Sequence, residues 1–281
     1  MSTQPAPASL DLLDPRLRAQ CDAYLGLGHV PGASVAVVVA DQRYHHAHGV
    51  RSIHRPEPVT AATGFNIGSC SKAFVSATLA SLVADGLAQW DDPLGRWVPE
   101  FQLHDPAATA MVSLRDVCGN RLGLPRIGLT EYGFKPDVPV ERIFAGLRHT
   151  APIHPLRDRF TYVNAGHTAA AVAAGRISGQ GYLPTLRQRV LAPLGMTGTS
   201  GGAAARDELA DQAGWHVRDG DQTVAMAPHH TDNCLGSGGM VVSGLAALQW
   251  LRLHLNGGTV DGRQVLAREA LAETHRPQAV A

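Results

Sequence analysis

The order of apolar and polar residues near the start of the chain predicts a helix followed by a β-hairpin. Residues 14–27 carry apolar side chains at helical spacing, which is typical of an amphipathic helix. Residues 33–40 are a run of small and β-branched residues, which indicates a buried strand. Asp41 and Gln42 form a predicted turn, and residues 44–50 are the expected returning strand.

A second apolar segment predicts a buried helix. Residues 56–68 are expected to be a loop, and the segment 69–84 then carries no charged residue after Lys72. A helix that is apolar on all sides is normally surrounded by protein. Gly68 marks the N-terminal end of this helix, and Gly86 is its expected C-terminal stop.

The rest of the chain has a helical composition that is interrupted by proline and glycine. Short helices are predicted near residues 113–119, 138–148, 165–178 and 184–192. Small-residue loops are expected at residues 195–205 and 235–239, and further helices at residues 243–256 and 265–275. This order predicts an α+β fold, in which a sheet domain is interrupted by a helical insertion.

We divide the chain accordingly into three parts. The first is a disordered tail, the second is a sheet domain made of two separate segments, and the third is a helical insertion domain between those segments. Their predicted ranges are residues 1–13, residues 14–86 with 226–281, and residues 87–225.

Composition and charge exclude several classes of protein. The 281 residues contain 24 basic and 24 acidic side chains, so the formal net charge is zero, which argues against a generally basic nucleic-acid binder. No apolar run is long enough to span a bilayer. The four cysteines are far apart, which argues against a disulfide framework. The first residues lack the basic and apolar regions of a signal peptide, so we predict a cytoplasmic protein without nucleic-acid or membrane partners.

Lysine is rare in this chain. Of the 24 basic side chains, 22 are arginine and two are lysine, Lys72 and Lys135. Arginine stays protonated in proteins, whereas a buried lysine can lose its proton. Lys135 precedes a proline in a predicted loop and is expected to lie at the surface. Lys72 lies in the predicted buried helix, where the neutral amine is favoured.

Ser69 and Lys72 form a candidate nucleophile and base. Residues three apart share a face of a helix, so the hydroxyl and the amine are expected to be neighbours. Burial and the positive end of the helix both favour loss of the lysine proton, and a neutral amine can accept the proton of a serine hydroxyl. The backbone N–H groups at the helix start would also face an oxyanion at Ser69. The alternative is that Ser69 is only an N-cap and Lys72 a solvated side chain.

Tyr162 and Asn164 form a second candidate pair. Residues two apart in an extended segment point the same way, so both side chains can face one cleft. A tyrosine beside a lysine can have a lowered pKa and transfer protons, and asparagine offers a donor and an acceptor to a substrate amide or ester. The alternative is that Tyr162 belongs to the core and that Asn164 caps the following helix.

The combination of Ser69-Cys-Ser-Lys72 with Tyr162-Val-Asn164 resembles the S-x-x-K serine hydrolases. This superfamily includes class C β-lactamases, D-alanyl-D-alanine carboxypeptidases and family VIII carboxylesterases. Further similar stretches follow in the same order, at residues 65–74, 86–87, 91–93, 112–116, 123–125, 193–196 and 238–242. The resemblance extends from about residue 14 to the end of the chain.

The resemblance implies a β-lactamase/penicillin-binding-protein-like fold, an antiparallel sheet flanked by helices with an inserted helical domain. It also implies a covalent acyl-enzyme and no cofactor. Ser69 would attack a carbonyl, Lys72 and Tyr162 would move the protons, and Asn164 would hold the substrate. The backbone N–H of Ser69 would be half of the oxyanion hole. A tyrosine in the second motif differs from the Ser-Asp-Asn pattern of class A β-lactamases.

One motif of the family has no counterpart here. The family carries a third motif, Lys-Thr-Gly or His-x-Gly, on a strand of the main sheet, downstream of the region that matches residues 236–275. Three histidine-containing stretches are candidate substitutes, and none of them falls on a suitable predicted strand. They are residues 167–169, 229–231 and 254–257. The implied C-terminal strands are therefore missing, which would leave only the hairpin of residues 33–50 with an unpaired edge.

We therefore expect that residues 1–281 alone are not a complete catalytic domain. Either a second chain or an exchanged segment completes the sheet, or the gene is truncated. The missing motif also keeps open a second functional class, a catalytically impaired binding or sensing relative.

The first functional class is a serine hydrolase that acts through a Ser69 acyl-enzyme on a small ester, amide or lactam. The intact residues Ser69, Lys72, Tyr162 and Asn164 favour it. Within this class we favour an esterase or peptidase over a β-lactamase, because a cytoplasmic chain has little access to cell-wall substrates.

Histidines on the returning strand suggest a metal site. His45, His46 and His48 cluster there, with His54 nearby, and His46 and His48 share a face of the strand. No carboxylate or cysteine stands at a recognised ligand spacing from them. We therefore predict exposed strand histidines and no bound metal.

Overall fold

The computed structural model shows a mixed α+β fold and describes residues 11–12, 15–27, 29–126, 138–228 and 232–279. Its strands are β1 (Asp11–Leu12), β2 (Gly32–Val39), β3 (Gln42–Ser52), β4 (Arg55–Pro58), β5 (Gly64–Asn66), β6 (Thr199–Gly201), β7 (Trp215–Asp219), β8 (Gln222–Met226), β9 (Met240–Ser243), β10 (Thr259–Val260) and β11 (Arg263–Gln264). Its helices are α1 (Pro15–Leu27), α2 (Ser71–Ala84), α3 (Pro106–Met111), α4 (Leu114–Cys118), α5 (Val140–Gly146), α6 (Asn164–Ser178), α7 (Tyr182–Leu186), α8 (Gly202–Glu208), α9 (Leu235–Gly238), α10 (Gly244–Leu255) and α11 (Arg268–His275). The α+β prediction is confirmed.

The predicted hairpin forms the centre of an N-terminal sheet. Strands β2 and β3 pair antiparallel from Gly32 opposite Gly49 to Val39 opposite Gln42. The sheet is larger than the hairpin that the sequence predicted, because β1 and β4 both pair with β3. The expected loop at residues 56–68 was wrong, since it contains most of β4 and all of β5. β4 was not predicted because its sequence contains two prolines, which a sheet tolerates mainly in an edge strand.

The outer edge of β2 is open. Among the strands that the structure describes, β2 pairs only with β3. Its sequence, Gly-Ala-Ser-Val-Ala-Val-Val-Val, is apolar, and its last residue, Val39, is 57% exposed. An apolar edge strand of this length offers backbone donors and acceptors to a further strand.

A small second sheet lies beside the start of α2. β9 is its central strand and pairs antiparallel with β5 on one side and with β6 on the other. The predicted loop at residues 195–205 was therefore wrong, because it contains β6. Three residues are too few to give an alternating pattern, so only the pairing with β9 reveals the strand.

Helix α2 is the centre of the core. Most of its residues are buried, and it packs against α6, α9 and α11. It ends at Ala84 and is terminated by Gly86, which has a left-handed φ of 73°, while Leu87 donates a backbone hydrogen bond to Leu82. The prediction of a buried helix that stops at Gly86 is confirmed.

The remaining helical predictions agree with α1, α4, α5, α6, α10 and α11, and α7 continues into a π-helical turn at residues 187–191. The expected loop at residues 235–239 contains the one-turn helix α9. The boundaries of the three-part division stay a prediction. Most of the predicted tail and Lys135 lie outside the described residues. No described helix is both long and apolar enough to cross a membrane.

Candidate active site

A tight 3-10 turn at Gly68–Cys70 presents Ser69 in front of α2. Gly68 has a φ of 51°, which favours glycine, and its N–H donates to Asn66 Oδ1 over 3.0 Å. Ser69 is exposed. The N-cap positions of this turn and of α2 are occupied by Ile67 and Cys70, so Ser69 caps neither element. The alternative that Ser69 is only an N-cap is therefore wrong.

The turn is held against β9 and α9. Ser71 Oγ donates to Gly68 O over 2.6 Å and accepts from the Met240 backbone N–H over 3.1 Å. Asn66 Nδ2 donates to Gly238 O over 3.3 Å. These bonds attach the residues before and after Ser69 to α9 and β9, and they thereby fix the backbone of Ser69.

Lys72 lies at the centre of a group of oxygen atoms. Its side chain is buried, with only 8% of the residue exposed. Its Nζ lies 3.1 Å from Ser69 Oγ, 2.7 Å from Tyr162 OH, 2.9 Å from Asn164 Oδ1 and 2.7 Å from the Ser237 backbone oxygen. The four candidate residues that the sequence singled out therefore meet in one cluster, and the alternative of a solvated Lys72 is wrong.

The number of acceptors fixes where two of the lysine protons lie. Asn164 Oδ1 and the Ser237 carbonyl oxygen can only accept, so each takes an N–H from Lys72. An ammonium group has one proton left for Tyr162 or Ser69, and a neutral amine has a lone pair there instead. The third position on Nζ is thus the place where a proton can be exchanged with the two hydroxyl groups.

The hydroxyl groups themselves are in contact. Tyr162 OH lies 2.6 Å from Ser69 Oγ. With Lys72 Nζ, these two oxygens form a closed triangle in which each atom is within hydrogen-bonding distance of the other two. A proton that leaves Ser69 can therefore reach either the phenol oxygen or the amine directly.

The surroundings lower the pKa of both titrating groups below their ordinary values. Burial lowers the pKa of Lys72, and the hydrogen bond to Tyr162 opposes this shift without cancelling it. Burial alone would raise the pKa of Tyr162. The hydrogen bonds with Lys72 and Ser69, together with the positive charges of Lys72 and Arg126, lower that pKa overall.

Arg126 stands over the aromatic ring of Tyr162. Its guanidinium carbon is 5.4 Å from the ring centroid, and the residue is exposed at the rim of the cluster. Its charge is permanent, so it favours the phenolate of Tyr162 at any working pH.

Asn120 positions the segment that carries Tyr162. It adopts a left-handed backbone with a φ of 53°, and its Oδ1 accepts from the Val163 N–H over 3.2 Å. Its backbone oxygen accepts from the Thr161 N–H over 2.8 Å, and Thr161 Oγ1 accepts from the Gly123 N–H over 3.0 Å. The backbone is thereby fixed at Thr161 and Val163, the residues on either side of Tyr162.

A buried carboxylate anchors the same region. Asp116 is fully buried and pairs with Arg121 at 2.6 Å and with Arg157 at 2.9 Å. Burial alone would raise its pKa, but the bonds from Arg157 and Ser113 hold that pKa below the ordinary value. Arg121 follows Asn120 and Arg157 precedes Tyr162 in sequence, so this charge cluster joins the segment that carries Asn120 to the segment that leads into Tyr162.

His167, one of the substitutes considered for the third motif, lies in the interior of α6. Burial lowers its pKa to about 3, so the imidazole is neutral at pH 7 and adds no charge beside Lys72. Its Nδ1 is buried without a hydrogen-bond partner. The prediction that this residue lies within a helix is confirmed.

Sequence reasoning missed several residues of this site. The Ser237 carbonyl oxygen lies in a glycine-rich segment, and no side-chain pattern marks a backbone acceptor. Neither Asn120 nor Arg126 was singled out as a site residue. The glycine-rich stretch at residues 235–239 was the one available signal, since glycine allows close approach of two backbones.

The fold and the residue cluster are both typical of the serine hydrolase superfamily that includes the penicillin-binding proteins. A family profile described as Beta-lactamase matches residues 17–281, and the chain belongs to the β-lactamase family. The resemblance that the two motifs indicated is thus confirmed.

Curated relatives share this family at low identity. Protein Rv1367c of Mycobacterium tuberculosis is 28% identical in an alignment of 253 residues that covers 79% of this chain and 61% of that protein. Unguisins hydrolase ungD of Aspergillus violaceofuscus is 27% identical in an alignment of 184 residues that covers 62% of this chain and 32% of that protein. The chain therefore spans less than two thirds of the length of these relatives.

Solved structures show the same fold. The octameric penicillin-binding protein homologue from Pyrococcus abyssi matches with a TM-score of 0.81 and 21% identity, over 92% of this chain and 58% of that one. A class C β-lactamase from Rhodobacter sphaeroides matches with a TM-score of 0.71 and 21% identity, over 90% of this chain and 68% of that one.

Proposed function

We propose that this protein is a serine hydrolase that forms an acyl-enzyme at Ser69. The observation that carries the proposal is the triangle of Ser69 Oγ, Tyr162 OH and Lys72 Nζ, with sides of 2.6, 2.7 and 3.1 Å. A serine hydroxyl needs an adjacent base to become a nucleophile, and this triangle offers two. Family membership supports the same class of reaction.

In the proposed reaction, Ser69 Oγ attacks the carbonyl carbon of a small acyl substrate. Its proton passes to the Tyr162–Lys72 pair, which later donates a proton to the leaving group. Asn164 lies beside the amine and positions the substrate carbonyl or amide. The Ser69 N–H lies in the first turn of a helical segment, where amides have no intrahelical acceptor, and it donates to the oxyanion. Water then hydrolyses the acyl-enzyme with the same pair as its base.

Covalent labelling tests this proposal. A fluorophosphonate or a labelled penicillin is expected to add its mass to the peptide that contains Ser69, and Ser69→Ala should abolish the adduct. Lys72→Arg should slow labelling by roughly 100-fold or more, because arginine keeps the charge but has no neutral form to accept a proton. Circular dichroism establishes that each variant is folded.

The matched control is Ser76→Ala. Ser76 lies on the same helix but donates to the Lys72 backbone, so its loss leaves the triangle intact. A folded wild-type sample that forms no adduct with either reagent would contradict the hydrolase and support the alternative, a catalytically impaired binding or sensing relative.

We propose esters or peptides, rather than β-lactams, as the substrate class. The relative named a hydrolase supports hydrolysis as the general reaction. The expected result is faster turnover of a short-chain aryl ester than of a chromogenic cephalosporin. The reverse order, measured at equal enzyme concentration, would overturn the preference.

The Tyr162–Lys72 pair predicts a rate that rises toward mildly alkaline pH. Arg126 lowers the pKa of Tyr162, so Arg126→Gln should move the rising limb of kcat/KM to higher pH, and the shift should shrink at high salt. Arg142→Gln removes the same charge from an exposed position on α5 and should leave the limb in place. A flat profile between about pH 6 and 9, or a limb that Arg126→Gln does not move, would count against the proton relay.

We also propose that the open edge of β2 takes up a further strand from a second chain or an exchanged segment. An eight-residue apolar edge strand supports this view, because such edges are normally covered. Sedimentation velocity should show a species larger than the monomer, and Val39→Lys should shift it toward the monomer by adding a charge to the exposed end of β2. A wild-type monomer that still labels at Ser69 would contradict this proposal.

A further inference from the structure

Two histidines of β3 and one aspartate of α1 converge at a second place in the molecule. His46 and His48 are two residues apart, so they lie on the same face of the strand. Helix α1 carries Asp22 over this face. Asp22 Oδ1 lies 2.8 Å from His46 Nε2 and 2.6 Å from His48 Nδ1.

This face of the sheet is separate from the residues that surround Ser69. His45, which directly precedes His46 in sequence, points to the opposite face, where its Nε2 bonds Ser34 Oγ at 2.8 Å beside the start of α10. The cluster of Asp22, His46 and His48 therefore has no part in the candidate active site.

The geometry of this cluster fits a metal ion. One nitrogen from each imidazole and one carboxylate oxygen all lie within 4.8 Å of one another. Zn²⁺ binds such atoms at about 2.0–2.2 Å in tetrahedral geometry, which places its ligands roughly 3.3 Å apart. An opening of about 0.5 Å between Asp22 and His46 and of about 0.7 Å between Asp22 and His48 would make room for the ion.

The cluster is half-buried, which leaves positions for water. The side chains of His46, His48 and Asp22 are 15%, 30% and 44% exposed. Three protein ligands with a solvent-facing side are the arrangement of an open zinc site. The prediction of exposed strand histidines was wrong for His45, His46 and His48, which are all half-buried, and right for the nearby His54, which is exposed.

The donor set selects the class of ion. Two imidazole nitrogens and one carboxylate suit Zn²⁺ and other first-row transition ions, whereas Mg²⁺ and Ca²⁺ prefer oxygen ligands throughout. We propose that Asp22, His46 and His48 bind one Zn²⁺ ion and that the ion clamps α1 onto the N-terminal sheet.

Besides this small opening, binding requires a change of tautomer at both rings. Since a carboxylate cannot donate, each ring nitrogen that bonds Asp22 carries the proton in the ion-free cluster. On binding, His46 Nε2 and His48 Nδ1 become ligands, and each neutral ring carries its proton on the other nitrogen. The charge on Asp22 remains and offsets part of the charge of the ion.

Calorimetric titration of tag-free protein with Zn²⁺ tests the proposal. One equivalent is expected to bind, the melting temperature should rise, and Co²⁺ should give visible absorption bands of a protein-bound ion. Asp22→Asn and His46→Gln should each weaken Zn²⁺ binding by about 100-fold or more, which exceeds the effect of most changes outside the ligand set. His48→Gln is a third variant with the same expected loss.

The matched control is His275→Gln. His275 Nε2 lies 2.9 Å from His254 Nδ1, so this variant breaks another pair of adjacent imidazoles and should leave Zn²⁺ binding unchanged. Failure of the wild-type protein to bind Zn²⁺ would overturn the proposal. So would undiminished binding in folded variants of the cluster, or Mg²⁺ binding of equal strength at this place.

Discussion

The buried amine of Lys72 is the constraint on which the rest of the structure depends. An ammonium group is costly to remove from water unless its protons find acceptors. The fold supplies four oxygens, from Ser69, Tyr162, Asn164 and the Ser237 backbone. These come from the turn before α2, the start of α6 and the one-turn helix α9, so three elements must be placed correctly for one lysine to be buried at 8% exposure.

Two further sets of interactions keep those elements in place. On one side, Asn66 and Ser71 bind the turn before α2 to the backbone beside β9. On the other side, Asn120 holds the backbone around Tyr162, and the buried Asp116 carboxylate pairs with Arg121 and Arg157 on the two segments that carry Asn120 and Tyr162. Removing one partner from a buried ion pair leaves an uncompensated charge, so loss of a residue from this second set is expected to destabilise the fold strongly.

Much of the site could be predicted from the sequence, because its side chains follow local rules. The spacing of Ser69 and Lys72 places them on one face, and the spacing of Tyr162 and Asn164 places them in one direction. The scarcity of lysine and the apolar context of Lys72 correctly indicated burial. The Ser237 carbonyl could not be predicted, since a backbone acceptor leaves no residue signature.

The errors in the fold share one physical cause. The strands β4, β5 and β6 are three or four residues long, too short to show periodicity, and exist because a neighbouring strand pairs with them. The approach of Asp22 to His46 was equally hidden, since the two residues are 24 positions apart and meet only when α1 packs on β3. Tertiary pairing, rather than local pattern, decides such features.

The protonation of Lys72 can be measured most directly by NMR of protein labelled with ¹³C at lysine Cε. The chain contains only Lys72 and Lys135, so two resonances are expected. The Lys72 resonance should titrate at a clearly lower pH than that of Lys135, which is predicted to be a surface residue. Its midpoint should fall further in Tyr162→Phe, because the bond to Tyr162 raises the pKa of Lys72. Two resonances that titrate together near the ordinary lysine value of about 10.4, with no change in Tyr162→Phe, would contradict the assignment of Lys72 as the buried proton-exchanging group.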